Sequence, residues 1–249
     1  MESKEAVVVV GASGGVGKAL CFELKARGAL LFLGARNEAN LQKTASELDS
    51  PFLAGDATKL EYVEKLFREA HEKFGTITGA VCLAGSILLK PAHSTSESEW
   101  KNTLEQNLFT SFYVLRTAAA AMRKSGGSIV LVSSVAARLG LSNHEAIAAA
   151  KAGVEGLAVS AAATYAPYKI RVNVVAPGLV KTALSEKITS NEAAVKASLA
   201  MHPLNRLGEP GDIASAISWF LDSRQSWVTG QVLGVDGGMS RVRSNRVGI

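Results

Sequence analysis

The sequence predicts an α/β fold in which one parallel sheet is covered by helices on both faces. Short runs that are apolar throughout alternate with longer segments of helical period, and strands without a polar face must be buried on both sides. The seven predicted strands are residues 6–10, 30–35, 51–55, 79–83, 127–133, 170–175 and 231–235. Strands separated by helices in this way form a doubly wound sheet, whose ligands bind at the carboxyl ends of the strands.

Length and composition favour a single domain over residues 1–249. A chain of 249 residues with 47% apolar and 20% charged residues can bury one large core without dividing. Neither an internal repeat nor a low-complexity linker marks a boundary. The two cysteines, Cys21 and Cys82, lack the spacing of metal ligands, so we expect reduced thiols in the core and no metal site.

The charge pattern argues against nucleic-acid and membrane partners. The net charge of +5 is spread along the chain, apart from Arg241, Arg243 and Arg246 near its end, and no nucleic-acid-binding motif accompanies it. No apolar run approaches the roughly 20 residues needed to cross a bilayer, and residues 1–5 are too short and polar for a signal peptide. We expect a soluble cytoplasmic protein, with an organellar origin after transit-peptide removal as the alternative.

A glycine-rich loop follows the first predicted strand directly and leads into a helix predicted over residues 18–27. The loop consists of Gly11, Ala12, Ser13, Gly14, Gly15, Val16 and Gly17. Glycine lets the backbone approach a ligand closely, and a helix N-terminus presents N–H groups to a phosphate. The loop therefore predicts a nucleotide site, with a plain tight turn as the alternative. Its G-x-x-x-G-x-G spacing, without a following Lys-Ser/Thr pair, argues against ATP hydrolysis.

The ends of the next two strands point to the adenosine part of a dinucleotide. Strand two ends in Ala35, followed by Arg36. An acid there suits free ribose hydroxyls, whereas a guanidinium suits a 2′-phosphate, so this pair favours NADP(H), with an exposed loop arginine as the alternative. Asp56 and Ala57 follow strand three, where the carboxylate can accept a hydrogen bond from the adenine amino group or merely form a turn.

Further motifs follow in order to the end of the chain. They are Ala84-Gly85, Asn107, Ser133-Ser134, Lys151, Pro177-Gly178 with Thr182, the segment from Gly208 to Ala214, and the segment from Thr229 to Gly238. Together with the glycine loop and Asp56, they resemble the short-chain dehydrogenase/reductase family nearly from end to end. The C-terminal pattern is similar to that of 3-oxoacyl carrier-protein reductases and other tetrameric carbonyl reductases. The resemblance implies a Rossmann-like fold, an NAD(P)(H)-dependent oxidoreductase and a homotetramer.

The resemblance also assigns the cofactor contacts. It places the following residues at the cofactor: Gly11, Ser13, Gly14, Gly15, Val16, Gly17, Arg36, Asp56, Ala57, Ala84, Gly85, Lys151, Pro177, Gly178, Val180 and Thr182. NADP(H) is the expected cofactor and NAD(H) the alternative. Two departures weaken the match, since the basic residue that often precedes the middle glycine is Gly14 here, and the family's N-N-A-G reads Cys82-Leu83-Ala84-Gly85.

The chain holds the family's catalytic set only in part. In the family a serine holds the substrate oxygen, a tyrosine exchanges the proton, a lysine four residues later lowers the tyrosine pKa and binds the nicotinamide ribose, and an asparagine holds a water. Ser134, Lys151 and Asn107 match these positions. The tyrosine of the Y-x-x-x-K motif is replaced by Ile147, which has no proton to give.

A histidine near this position could replace the missing acid. His144 precedes Ile147 by three residues, so its imidazole could reach the same side of the cleft and relay a proton, with an ordinary surface residue as the alternative. Glu145 has a simpler interpretation. Residues 142–145 fit the S-x-x-E capping box, in which the Glu145 carboxylate bonds back to the Ser142 amide.

Two functions stay open on this evidence. Loss of a general acid costs about 10²–10⁴ in rate, yet hydride transfer between well-placed groups can survive it. An atypical oxidoreductase could act on a carbonyl or an activated alkene, with water or His144 as the proton source. A non-catalytic NADP(H)-binding sensor or partner subunit is the alternative. Retention of Ser134 and Asn107 favours chemistry, because a pure binder needs neither.

The resemblance leaves the small-molecule substrate undefined. We expect its pocket between residues 87–94, 135–144 and 181–205, loops that vary without changing the fold. His93 and His202 lie in these loops, and neither is assigned a role. In the implied homotetramer, helices over residues 98–124 and 146–166 pair across one interface and residues 232–238 across another.

Overall fold

The computed structural model describes residues 5–243, and it confirms the doubly wound parallel sheet. The strands are β1 (Ala6–Val10), β2 (Leu30–Ala35), β3 (Phe52–Ala54), β4 (Gly79–Cys82), β5 (Gly127–Val132), β6 (Ile170–Pro177) and β7 (Val232–Val235). Their order across the sheet is β3-β2-β1-β4-β5-β6-β7, and every neighbouring pair is parallel. The winding reverses between β1 and β4, so a ligand crevice opens at their carboxyl ends.

Helices cover both faces of this sheet. They are α1 (Gly15–Ala26), α2 (Glu38–Glu47), α3 (Leu60–Phe74), α4 (Glu97–Leu104), α5 (Thr110–Met122), α6 (Glu145–Tyr165), α7 (Glu186–Thr189), α8 (Glu192–Met201) and α9 (Pro210–Leu221). Helices α3, α5 and α6 contribute to one core cluster, and α1, α2 and α9 contribute to the other. Strand β1 joins the two clusters, because Val8 and Val10 face the first and Val7 and Val9 face the second.

The predicted helix over residues 98–124 is observed over residues 97–122, but it contains a π-helical segment that was not predicted. Helix α4 ends at Leu104, a π-helical segment follows over Glu105–Phe109, and α5 begins at Thr110. Such segments widen the helix locally and occur often at functional sites. The first predicted helix also begins earlier than expected, at Gly15 inside the glycine loop. The predicted strands agree with the observed ones to within two residues at each end.

One helix corrects the expectation that no apolar run is long enough to cross a membrane. The helical stretch from Glu145 to Tyr168 passes that test by length and composition alone. Packing explains its composition, because Val154, Ala158 and Ala162 of α6 belong to the core cluster on one face of the sheet. The same test is passed by core helices that never meet a lipid.

The two cysteines lie in the core. Cys21 and Cys82 are buried free thiols, as predicted, and burial raises the pKa of each. Within residues 5–243, no group of three His, Cys, Asp or Glu side chains could hold a metal ion. Residues 1–4 of the predicted domain and Arg246 of the basic tail lie outside the described residues.

Candidate active site

The glycine loop turns sharply between β1 and α1. Gly11 has a φ of +91°, and a Cβ added there would lie 2.9 Å from the carbonyl carbon of Leu83, at the end of β4. A Cβ added to Gly17 would lie 2.2 Å from the Gly11 carbonyl oxygen, which no side chain can accept. These two glycines therefore fix the loop at the point where the sheet reverses its winding.

The N-terminus of α1 is open to a ligand. Gly14 is its N-cap, is exposed and offers no side chain to the first helical N–H groups. A Cβ on Gly15 would lie 3.1 Å from the Thr182 methyl carbon and 3.6 Å from Pro210 Cγ. The loop after β1 and the loop after β6 thus meet across the crevice. A glycine turn at a helix N-terminus that no side chain caps fits a dinucleotide phosphate.

At the far end of the crevice, the predicted adenosine partners follow β2 and β3. Arg36 is exposed, and no ion pair is found for it within residues 5–243. Asp56 Oδ1 accepts a hydrogen bond from the Thr58 N–H at 3.0 Å, so the predicted turn does form. Its other carboxylate oxygen stays available to an adenine amino group.

A residue that the sequence reasoning missed shapes this end. The Tyr62 hydroxyl donates to the Leu53 carbonyl oxygen at 2.8 Å. A Cβ on Gly55 would lie 2.1 Å from the Tyr62 ring, and one on Gly34 would lie 2.8 Å from its hydroxyl oxygen. Glycine at these two strand ends is therefore needed to admit the ring. The pair of glycines was the only sequence signal for this contact.

Two of the predicted catalytic residues, Asn107 and Lys151, meet beside Gly85. A Cβ added to Gly85 would lie 2.9 Å from Asn107 Oδ1 and 3.5 Å from Lys151 Nζ. Lys151 donates to the Val132 carbonyl oxygen at 2.9 Å, and Ser134 is two residues further along the chain. Helix α6 and the π-helical segment thus bring Lys151 and Asn107 to the loop after β4, and Ser134 follows the end of β5, whose Val132 carbonyl holds Lys151.

The π-helical segment holds Asn107 in a fixed orientation. Its amide nitrogen donates to the Thr103 carbonyl oxygen at 2.9 Å and to Ser86 Oγ at 3.0 Å, and its Oδ1 accepts from the Ser86 N–H at 3.2 Å. The Asn107 side chain is fully buried. Asn107 therefore braces the loop after β4, at Ser86.

Ser134 is half-buried and points its hydroxyl into a turn. The Ser134 Oγ accepts from the Ala136 N–H at 3.2 Å, which leaves its own O–H free to donate. The neighbouring Ser133 has a different task. Its hydroxyl bonds Glu155 at 3.0 Å, and Glu155 also binds Arg138 at 2.7 Å. This network ties the turn that carries Ser134 to α6.

The start of α6 differs from the predicted capping box. The helix begins at Glu145 with His144 as its N-cap, and no side chain caps it. The Glu145 carboxylate accepts from the Ala92 N–H at 3.3 Å and not from the Ser142 amide. It therefore joins α6 to the predicted substrate loop of residues 87–94, here called the substrate loop. A second contact joins the same segments, because the Lys90 N–H donates to the Asn143 carbonyl oxygen at 2.7 Å.

Ile147 and His144 lie on the first turn of α6. Ile147 is 5% exposed, so an aliphatic side chain fills the position one turn before Lys151. His144 Nδ1 lies 2.7 Å from the Ser142 carbonyl oxygen. Since a carbonyl can only accept, that nitrogen carries the proton, and the neutral ring has an acceptor at Nε2. A neutral His144 has no second proton to donate.

His202 is the second residue whose position the sequence did not reveal. It is 1% exposed at the end of α8. Its Nδ1 lies 2.7 Å from the Ser198 carbonyl oxygen, and its Nε2 accepts from the Leu179 N–H at 3.4 Å. The ring thereby joins the predicted substrate segment to the predicted cofactor loop after β6. A Cβ added to Gly178 would lie 2.7 Å from His202 Nε2, so the ring needs a glycine at that position.

Two cavities lie beside these residues, and Ser134, Lys151 and Asn107 line neither. One, of about 260 Å³, includes Gly178 and His202 in its lining. The other, of about 350 Å³, lies between the substrate loop and the first turn of α6 and is lined by Trp100 and Glu145 among others. Both adjoin the loops that the sequence assigned to the substrate.

Comparison with known proteins gives a consistent picture. The family model described as enoyl-(acyl carrier protein) reductase matches residues 11–240. The 3-oxoacyl-(acyl-carrier-protein) reductase FabG of Vibrio cholerae is 35% identical over 96% of this chain and 98% of its own. Carbonyl reductase family member 4 of Danio rerio is 37% identical over 93% and 96%. A solved short-chain type dehydrogenase/reductase from Mycobacterium ulcerans, 30% identical, superposes with a TM-score of 0.92 over 96% of this chain and 90% of its own.

Proposed function

Because this chain belongs to the short-chain dehydrogenase/reductase family of NAD(P)(H)-dependent oxidoreductases, we propose that it transfers hydride between NADP(H) and a small carbonyl or activated alkene. The observation that carries the proposal is the convergence of Asn107 and Lys151 on Gly85, with Ser134 two residues beyond the Val132 carbonyl that holds Lys151. A protein that only binds a nucleotide has no use for a free serine hydroxyl at this point.

The residues divide the work as follows. The glycine loop and the N-terminus of α1 would hold the pyrophosphate, and residues 177–182 would hold the nicotinamide end. Ser134 donates its hydroxyl proton as a hydrogen bond to the substrate oxygen, where negative charge develops. Lys151 would hold the nicotinamide ribose and supply a positive charge to the reacting oxygen, and Asn107 keeps the loop after β4 in place. The bound cofactor supplies or accepts the hydride.

The experiment that tests the proposal has two stages. Binding of NADPH is measured first, by fluorescence titration of the purified protein. Turnover is then screened against ketones, acyl thioesters and activated alkenes, with NADPH oxidation as the readout. Binding together with turnover of any of these classes supports the proposal. Binding without turnover of any of them favours the non-catalytic sensor or partner subunit, for which the buried Ile147 at the acid position is the specific indication.

NADPH is expected to bind more tightly than NADH because Arg36 is exposed and holds no ion pair within the described part of the chain. A guanidinium pairs well with a 2′-phosphate, so Arg36→Asp should lower NADPH affinity by about tenfold or more and reverse the preference. Titration of both cofactors checks this. Arg68→Asp makes the same charge change at an exposed position of α3 and should leave the preference unaltered. Equal affinities in the unmodified protein would contradict the prediction.

Restoring the missing phenol is expected to raise carbonyl reduction. Ile147→Tyr places an acid four residues before Lys151, and a positioned general acid contributes about 10²–10⁴ in rate. We expect a gain of about tenfold or more, limited because overpacking a buried site costs roughly 1–3 kcal/mol. Ile147→Phe adds the ring without the hydroxyl and should show no gain. If Ile147→Tyr binds NADPH normally and reduces no simple ketone faster, the partner residues are not positioned for this chemistry.

We also propose a homotetramer. Exposed apolar side chains support it on both expected faces: Phe109 (42% exposed), Phe112 (44%) and Val159 (51%) on the helical face, and Leu233 (40%) on β7. Exposed aromatic and aliphatic groups in such number mark contact surfaces. Light scattering at micromolar concentration should give a tetrameric mass, and a monomeric mass would refute the assembly.

The cellular setting is a further proposal. We propose a cytoplasmic protein that has neither nucleic-acid nor membrane partners, supported by the dispersed charge of the chain. Fractionation of the source cells, followed by detection of the protein, tests this location.

A further inference from the structure

Lys151 is a buried ammonium group that pairs with no carboxylate in the described part of the chain. It is 7% exposed, and its Nζ donates one hydrogen bond, to the Val132 carbonyl oxygen at 2.9 Å. Two of its three N–H groups therefore remain for other partners. A buried charge left this way is costly to keep, which marks it as a group with a task at the site.

Two neighbours of Lys151, Ile147 and Gly85, offer these N–H groups no side-chain acceptor. Lys151 lies four residues after Ile147, and residues at this spacing share one face of a helix. The acid position itself holds an aliphatic side chain without a proton. On the other side lies Gly85, whose hydrogen faces Nζ because a Cβ there would be 3.5 Å away. Nothing bulky at Gly85 separates Nζ from the end of β4.

Within residues 5–243, none of the other polar groups around Lys151 offers it a charged partner. Cys82 on β4 is a buried neutral thiol. Glu155, on the same helix as Lys151, bonds Ser133 and Arg138. His144 in its neutral form holds its only N–H against the Ser142 carbonyl oxygen. Asn107, which faces Lys151 from the π-helical segment, does not titrate.

We propose that Lys151 itself gives the proton in carbonyl reduction, directly or through one water, in the place of the tyrosine that this chain lacks. The role rests on the proposed function. The carbonyl carbon receives a hydride, the π electrons of the C=O bond move to its oxygen, and that oxygen takes a proton from Nζ. Lys151 is left as a neutral amine and regains a proton from solvent, so that charge and atoms balance over one turnover.

The electrostatics of the site suit this role. Burial lowers the pKa of Lys151 to about 8, and negative charge on the Cys82 sulfur would oppose this shift. A general acid works best when its pKa lies near the working pH. Below this pKa the ammonium is present and reduction should run at its plateau. Above it the proton is lost, so reduction should fall as pH rises through about 8.

The test compares Lys151→Arg with the unmodified enzyme on a ketone. Arginine keeps the positive charge beside the ribose but does not release a proton at these pH values, so turnover should fall by about 10²-fold or more and the break near pH 8 should disappear. NADPH affinity should change by less than about fivefold. Lys124→Arg, an exposed lysine just after α5, should leave both measurements unchanged.

Two further measurements separate a proton donor from a structural charge. The Cε signal of Lys151, followed by NMR in the protein without cofactor, should titrate near pH 8. Turnover of Lys151→Ala should rise when methylamine or ethylamine is added, because a small amine can enter the vacated space and supply the proton. Structural damage alone would not be repaired by an amine.

The outcomes separate this role from the proposed function. Absence of turnover in the unmodified enzyme overturns the proposed function and this role with it. Turnover that survives Lys151→Arg with an unchanged pH profile overturns the role alone. So does a break in the profile that His144→Asn removes and Lys151→Arg leaves in place, because the imidazole would then be the acid.

Discussion

Replacement of Ser134 by alanine is expected to lower turnover by about 10²–10³-fold and to leave NADPH affinity nearly unchanged. The Ser134 hydroxyl is oriented by the Ala136 N–H at 3.2 Å and keeps its proton free to bond a substrate oxygen. Negative charge grows on that oxygen only as the hydride arrives. The hydroxyl therefore contributes mainly in the transition state, and its loss should appear in turnover and not in cofactor binding.

Ser133→Ala is the matched control for this measurement. Ser133 is 3% exposed and bonds the Lys151 carbonyl oxygen and Glu155, each at 3.0 Å. Its removal should cost about 1 kcal/mol of stability, typical of a lost hydrogen bond, and less than about tenfold in turnover. Steady-state kinetics and thermal unfolding of both variants give the comparison. Similar losses of turnover in the two would show that Ser134 has no special contact with the reacting oxygen.

A single methyl group at Gly17 is expected to abolish cofactor binding. In Gly17→Ala the new Cβ would lie 2.2 Å from the Gly11 carbonyl oxygen and 2.9 Å from Ala12 Cα, all backbone atoms that cannot turn aside. Relief requires the glycine loop and α1 to separate, which moves the N–H groups that would hold the pyrophosphate. We expect NADPH affinity to fall by about 10²-fold or more, together with a loss of several kcal/mol of stability.

The control lies three residues earlier in the same loop. A Cβ on Gly14 would lie 3.4 Å from the Gly11 carbonyl oxygen, an ordinary contact, and its φ of −75° suits any residue. Gly14→Ala should therefore keep the unfolding temperature within a few degrees of the unmodified protein. Calorimetry gives the unfolding temperatures of both variants, and NADPH titration gives their cofactor affinities. If Gly17→Ala matches Gly14→Ala in both measurements, the close approach to Gly11 is not what shapes the loop.

Most of the fold could be predicted from the sequence because its signals are local. Strands such as Val7–Val10 are apolar at every position, and only a sheet covered on both faces buries such a run. The glycine loop could be placed behind β1 for a similar reason, since its tight turn follows from glycine itself. The π-helical segment between α4 and α5 could not be predicted, because it changes the hydrogen bonding and not the apolar pattern.

The candidate site was predicted by residue type and order, and two of its predicted residues, Asn107 and Lys151, do lie beside the same residue, Gly85, although they come from different elements. The predicted capping box was wrong, although residues 142–145 fit its pattern. The Glu145 carboxylate accepts instead from the Ala92 N–H, 53 residues away in the chain. A capping pattern describes hydrogen bonds between residues that are close in sequence. It does not register a competing donor that the fold brings to the same place.

By itself, the sequence determined the parallel doubly wound sheet and the glycine loop at its switch point, and it predicted that Ile147 stands where the family places its acid. Only the tertiary structure decided which hydrogen-bond partners the buried polar groups have. Lys151 donates to Val132, 19 residues earlier, and His202 meets Leu179, 23 residues earlier. Helical and strand periods follow from contacts within a few residues along the chain. The partners of a buried ammonium or imidazole are set by how distant segments pack, because each such group must find its hydrogen bonds wherever the fold supplies them.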